Sequence, residues 1–157
     1  MLKAAVITVS DRASEGVYED ISGTTICGIL KEVYPDIKLC RKVVPDTKEE
    51  IIQAFKEHAD CDWIITTGGT GISPRDITPE ATEEFCDIPL PGISEILRTE
   101  SYKETPNAML SRGYAGLKGN TVIVNFPGSV RAVTFCIKII IPVLNHAQDM
   151  IKGKDHD

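Results

Sequence analysis

Three strand-length runs, Lys3 to Val9, Ile37 to Val44 and Asp62 to Thr67, are separated by segments whose apolar residues recur at helical spacing. This β-α-β-α-β order leaves few solutions. Strands joined through helices pair in parallel, and a parallel sheet must be covered by helices on both faces. Lys3 to Val9 suits such a sheet because it is short and almost wholly apolar. The fold class is therefore α/β, and ligands in such folds collect beyond the carboxyl ends of the strands.

The remaining boundaries follow from turn and cap residues. The first strand ends at Ser10-Asp11-Arg12, and Ala13 to Gly23 reads as a loop before a helix over Thr24 to Val33, stopped by Pro35-Asp36. Thr47 and Glu50 form a capping-box pattern for a helix reaching Ala59. Thr78 reads as an N-cap with Pro79 at the first position of a short helix to Cys86. Pro89 to Gly92 reads as a turn, Ile93 to Ser101 as a helix, and Thr105-Pro106 as the start of a helical segment ending near Gly113. Gly116 and Gly119 mark turns into a strand over Asn120 to Asn125. A last helix covers Arg131 to Met150, where Pro142 must kink or split it. At 157 residues the chain is expected to form one domain over 1–157, with no linker or repeat.

Chemistry concentrates after the third strand. Gly68-Gly69-Thr70-Gly71 frees the backbone to turn and present N–H groups to an anion, and Arg75-Asp76 precedes a helix start. The spacing is neither that of a Walker A loop nor that of a GxGxxG fingerprint. The sheet rule gathers Ser10-Asp11-Arg12, Pro45-Asp46, Gly68 to Asp76 and Pro127-Gly128-Ser129 onto one edge. Asp46 and Asp76 can then meet across a pocket and hold a divalent cation with substrate phosphates. Alternatively, Asp46 is a turn residue and Asp76 a partner of Arg75. Arg12, Arg75, Arg112 and Lys118 are candidates for the matching positive charge, although Lys118 and Arg131 taken singly read as solvated surface charges. Gly128-Ser129 offers a second anion or ribose site, or merely an N-cap, and Ser111-Arg112-Gly113 is equally open between site and helix end.

Composition excludes several classes. A net charge of −6 argues against a general nucleic-acid binder. The amino terminus has no signal core and no later apolar stretch reads as long enough to span a bilayer, so a cytoplasmic location without a membrane role is expected. Five widely spaced cysteines without a CxxC pair read as reduced core thiols. His58, His146 and His156 are too scattered to build a Ser/His/Asp arrangement.

The motifs also resemble a known family, the molybdenum-cofactor biosynthesis domain of the MogA and MoaB type, which are molybdopterin adenylyltransferases. The resemblance rests on Ser10-Asp11-Arg12, Val44-Pro45-Asp46, Thr67 to Gly71 with Pro74 to Ala81, Met109 to Gly113, and Asn125 to Ser129, and covers nearly the whole chain. It implies a three-layer α/β/α sandwich, usually trimeric, that joins the AMP part of ATP to the terminal phosphate of molybdopterin and releases pyrophosphate. Asp46 and Asp76 match the functional aspartates that organise Mg²⁺ and the reacting phosphates. Ser10, Asp11, Arg12, Gly68, Gly69, Thr70, Gly71, Arg75, Ser111, Gly128 and Ser129 are the implied substrate-binding residues, with Ser111 on the molybdopterin side. Val130 departs from the proline many members carry after the Pro-Gly-Ser turn. The resemblance is to the single-domain members, so the extra domains of the molybdenum-insertion enzymes are not expected and metal insertion is the less favoured assignment; transient contact with such an enzyme is implied. A non-catalytic molybdopterin carrier and a nucleotide-pyrophosphate enzyme of the competence-damage type are the alternative readings.

Overall fold

The computed structural model describes residues 1–17 and 19–154. The strands are β1 (Lys3–Val9), β2 (Lys38–Val44), β3 (Trp63–Thr67), β4 (Ile88–Pro89), β5 (Ala115–Lys118) and β6 (Thr121–Phe126). They form one sheet in the order β2-β1-β3-β6-β5-β4. β2, β1, β3 and β6 run parallel, with Ala5 opposite Cys40 and Ile64, and Ile64 opposite Ile123. β5 and β4 close one side as antiparallel strands.

Helices cover both faces, as a three-layer α/β/α sandwich requires. They are α1 (Asp11–Ser14), α2 (Ile21–Val33), α3 (Lys48–Glu57), α4 (Thr78–Phe85), α5 (Pro91–Tyr102), α6 (Val130–Ile140) and α7 (Leu144–Ile151). Strand alternation divides the core in two. Val6, Ile65, Val122 and Val124 pack with Ile26, Leu30, Ile137 and Ile140 from α2 and α6. Ala5, Ile7, Ile64 and Ile123 pack with Ile51, Phe55 and Ala81 from α3 and α4. Each fully buried aliphatic or aromatic side chain contributes about 1.5–3 kcal/mol, so this two-sided burial makes the strand ends a rigid platform. Trp63 adds a tie, its Nε1 donating to Leu144 O at 3.2 Å.

The sequence reading places the main elements correctly and misplaces several ends. α2 starts at Ile21 rather than Thr24, because Asp20 caps it by accepting from Gly23 N at 2.9 Å. Asp11–Ser14 is a helical turn that takes in the expected strand end at Asp11-Arg12 and the first two residues of the stretch read as loop, capped by Ser10 Oγ. Thr47 stands at the N-cap of α3 without a side-chain cap bond, so the capping box does not form; Glu49 and Glu50 in the first turn complement the helix dipole instead. α4 has Ile77 at its N-cap, and Thr78 Oγ1 donates to Gly68 O at 3.0 Å. α5 begins at Pro91. The segment opened by Thr105 is a 3-10 helix, Pro106–Leu110, ending short of Gly113.

Two strands escaped the reading altogether. Pro89 pairs with Gly116, which sits within β5 rather than at a turn. A side chain at Gly116 would come within 2.8 Å of Cys86 Cβ and 3.0 Å of Ile88 O, so the glycine permits close strand packing. Pro142 splits the last helix as anticipated, through a 3-10 turn at Ile141–Val143. Val130–Ile151 is nevertheless 22 helical residues holding an 18-residue window of mean hydropathy 1.4, long and apolar enough to cross a membrane, contrary to the reading of the sequence. Val133, Cys136, Ile137, Ile140 and Leu144 spend its apolar stripe on the core.

All five cysteines are free. Burial pushes the Cys61 thiol up to about 12 and those of Cys86 and Cys136 to about 11, which keeps them protonated and unreactive. His58 Nδ1 pairs with Ala54 O, whereas His156 lies outside the described residues.

Candidate active site

The ends of β1, β2, β3 and β6 bring the four expected loops together. Gly68, at φ 99°, crosses the end of β1 so closely that a Cβ would lie 2.3 Å from Val9 O, and its N–H donates to Phe126 O at 3.1 Å. Gly69, at φ 69°, leaves room for Thr78 Oγ1 and Asp46 Oδ1, which would stand 2.2 and 3.1 Å from an added Cβ. Gly71 faces Asp76 Oδ2 in the same way, at 2.9 Å. The two aspartates thus flank one glycine loop. Among the described residues the amides of Gly69, Thr70 and Gly71 donate to no protein acceptor, leaving a run of N–H groups for an anion.

Asp46 is held by a reciprocal pair of bonds. Asp11 N donates to Asp46 Oδ2 and Asp46 N donates to Asp11 Oδ1, both at 2.9 Å. Arg75 grips the same Asp11 carboxylate through Nε at 3.0 Å and Nη2 at 2.8 and 2.9 Å. The alternative that Arg75 pairs with Asp76 is therefore corrected; Asp76 Oδ2 accepts from Ser73 N at 2.9 Å. The Asp46 amide and the Arg75 guanidinium hold the Asp11 carboxyl below its ordinary range. Burial pushes the Asp46 carboxyl up; the Asp11 hydrogen bond opposes this, while the Asp11 and Asp76 charges add to it.

These loops open on a cleft of about 690 Å³, lined by Gly68, Gly69, Thr70, Gly71, Asp76, Ser111, Gly128 and Ser129 among the expected residues. Ser10 instead lines an adjoining recess of about 250 Å³ that shares Gly68, Gly128 and Ser129 with the cleft. Asp11, Asp46 and Arg75 stand beside the cradle rather than in the cleft wall, and Arg12 lies on α1 with its carbonyl accepting from Val17 N at 2.8 Å. Ser129 caps α6 by accepting from Ala132 N at 3.1 Å.

Other residues moved from their expected places. Lys118 is in β5, paired with Asp87 at 3.3 Å and 5.3 Å from the centroid of the Phe85 ring, rather than in a loop. Arg131 is the solvated charge expected, its side chain 81% exposed, and it also edges the cleft and bonds Glu104 at 3.1 Å. The opposite wall was missed: Ser101, Asn107 and Ala108 face Thr134, Phe135 and Lys138 of α6. The only signal was the spacing of Arg131, Phe135 and Lys138 on one helical face, which any amphipathic helix shows.

Donor chemistry fits a hard divalent cation. Asp46 Oδ1 and Asp76 Oδ1 carry no hydrogen bond among the described residues, while the second oxygen of each is fixed by an amide. No group of three or more His, Cys, Asp or Glu able to hold a metal occurs among those residues.

An α/β sheet edge carrying an anion cradle, paired aspartates and a ligand-sized cleft defines a binder of phosphorylated small molecules. Residues 5–146 match the probable molybdopterin binding domain, and the chain belongs to this family. It is 40% identical over 152 residues to the molybdopterin adenylyltransferase of Helicobacter pylori, covering 94% of this chain and 86% of that protein. The structure of the molybdopterin biosynthesis enzyme MoaB from Thermus thermophilus superposes with TM-score 0.89 at 37% identity over the whole of both chains. That of the molybdopterin biosynthesis Mog protein from Mycobacterium ulcerans does so with TM-score 0.90 at 38% identity, over 96% of this chain and 99% of that one.

Proposed function

We propose that this protein transfers the adenylyl group of Mg-ATP to the terminal phosphate of molybdopterin, releasing pyrophosphate, in molybdenum cofactor biosynthesis. The observation that carries the reading is the placement of Asp46 and Asp76 against two glycines of one cradle, which itself lines a cleft large enough for a pterin. The likeness to curated adenylyltransferases supports it.

The residues divide the work. The free amides of Gly69, Thr70 and Gly71 bind phosphate oxygens, and Asp46 and Asp76 are the catalytic carboxylates that hold Mg²⁺, whose charge offsets that of the phosphates. A molybdopterin phosphate oxygen bonds to the α-phosphorus as the bond to the pyrophosphate oxygen breaks. Ser111 and the α6 wall receive molybdopterin, while Ser10, Gly128 and Ser129 line the nucleotide side. Arg75 is reachable, with its side chain 63% exposed, and can exchange Asp11 for a phosphate. Asp11 and Arg12 complete the nucleotide side. The fold holds two anions that otherwise repel in an orientation fit for attack. We further propose one domain spanning 1–157, working in the cytoplasm as a homotrimer that passes its product to a molybdenum-insertion enzyme.

Pyrophosphate release from Mg-ATP with purified molybdopterin tests this reading. Release should require molybdopterin and fall by about 10²-fold or more in Asp46→Asn and Asp76→Asn, the loss expected when a positioned transition-state charge is removed. Tight molybdopterin binding with no release from the wild type would instead make the protein a carrier.

A further inference from the structure

Arg112 stands out because its backbone amide, its Nε and both terminal nitrogens each have a partner in the glycine loop or in the helix that follows it. Its N–H donates to Thr70 O at 2.8 Å, Nε to Gly71 O at 2.8 Å and Nη2 to Asp76 O at 2.9 Å, while Nη1 pairs with Glu80 in the first turn of α4. The carbonyls it takes bracket the segment from Gly71 to Asp76. Within that segment Asp76 N donates to Ser73 O at 3.0 Å and Ser73 N to Asp76 Oδ2 at 2.9 Å, so the turn closes on itself and its two ends need an outside tie. Arg112 supplies that tie from a separate part of the chain.

The anchor itself is well fixed. Arg98 Nη1 donates to Gly113 O at 2.8 Å, and Tyr114 N donates to Asn125 Oδ1 at 3.0 Å. Asn125 is buried and spends its amide hydrogens on Thr66 and Thr82, at 3.0 Å each. Ser111 lines the cleft immediately before Arg112. One short segment therefore touches the ligand space, the cradle and the sheet.

We propose that Arg112 is a positioning residue for adenylyl transfer: its planar guanidinium fixes the Gly71–Asp76 turn, and through it the Asp76 carboxylate, and it does not serve as a charge for the phosphates. The inference rests on the function proposed above. It separates two roles that a positive residue near an anion site can play. A phosphate-binding charge survives replacement by lysine, whereas a three-way fork onto two carbonyls and a carboxylate does not, because an ammonium lacks the planar spread of donors.

The test compares Arg112→Lys and Arg112→Ala with the wild type in molybdopterin-dependent pyrophosphate release, with and without millimolar guanidinium. Both variants should lose kcat by about 10²-fold, the cost of a small misplacement of a reacting group, with KM for ATP little changed. Guanidinium should restore part of the loss in Arg112→Ala and none in Arg112→Lys. Near-normal kcat in Arg112→Lys overturns the proposal in favour of a charge role; a loss that follows only the folded fraction, without rescue, overturns it in favour of bulk stability. If the wild type itself releases no pyrophosphate, the proposed function fails, and hydrogen exchange decides the positioning claim without substrate. The Ser73 and Asp76 amides should then exchange faster in Arg112→Ala while β3 amides stay unchanged, and equal protection in both proteins overturns the tie.

Discussion

The two walls of the cleft are built on opposite plans. On the cradle side Gly68 is bonded to Phe126, Thr78 to Gly68, Asp46 to Asp11, and Arg112 to Gly71 and Asp76. Across from it the polar ties are few, the Arg131–Glu104 pair and a 3.8 Å contact of Ser101 with Cys136, and Leu97 of α5 packs with Val133, Cys136 and Ile137 of α6 in the apolar core. Phe135, Leu110 and Ala108 present apolar surface there. Fixed dipoles stabilise developing phosphate charge because they need not reorganise during the reaction, whereas the body of a ligand is held well enough by shape and apolar contact. Substitutions on the first wall should therefore cost stability or turnover, and substitutions on the second mainly affinity.

The largest expected effect breaks the cradle where it is most crowded. Gly68→Ala must hold φ 99° and place a methyl 2.3 Å from the Val9 carbonyl. The combined backbone strain and overpacking should cost about 3 kcal/mol, read as a lower denaturant midpoint. A variant as stable as the wild type would mean the loop is free to move off β1. Next comes Asn125→Ala, which strands the Tyr114 amide and takes the Asn125 donor from the buried Thr66 hydroxyl, while Thr82 keeps its bond to Thr78 O. About 2 kcal/mol is expected for unsatisfied buried groups, measured in the same way.

How much of this contrast the sequence disclosed depends on the range of the interaction. The glycine loop and the two aspartates were legible because chain order and the sheet rule suffice to gather strand ends. Asp11 was readable as a site residue but not as the group shared by Asp46 and Arg75, since that pairing joins three loops distant in sequence. Arg112 was legible as a charge near the site and not as a tie, for the same reason. The α6 wall was hidden differently: Phe135 and Lys138 sit in an amphipathic pattern that serves the core on its other face. β4 and β5 were lost because a two-residue strand has no period, and because Gly116 signals a turn unless Cys86 is known to pack against it.

Ser129 sharpens the comparison because it belongs to the cradle edge but caps a helix of the open wall. Ser129→Ala removes the bond to Ala132 N and should cost about 1 kcal/mol in stability, as N-cap losses do. A matching rise in KM for ATP would show that the hydroxyl also meets substrate; unchanged KM would confine it to the cap.

The smallest effect is expected from Lys138, which lines the far part of the cleft and is in no ion pair among the described residues. With no hydrogen bond or buried surface at stake, Lys138→Gln should leave stability within about 0.5 kcal/mol of the wild type. Its charge lies about 13 Å along α6 from the Ser129 cap, at the helical rise, and so is remote from the reacting phosphates. If molybdopterin extends along this wall, its KM should rise about threefold in the variant, as loss of one exposed charge interaction of under 1 kcal/mol predicts, and that difference should shrink with added salt. The KM for ATP should stay constant. A change in both constants would place the nucleotide on this side and reverse the assignment of the two walls, whereas a salt-independent change in the molybdopterin constant alone would point to packing by the lysine stem rather than to its charge.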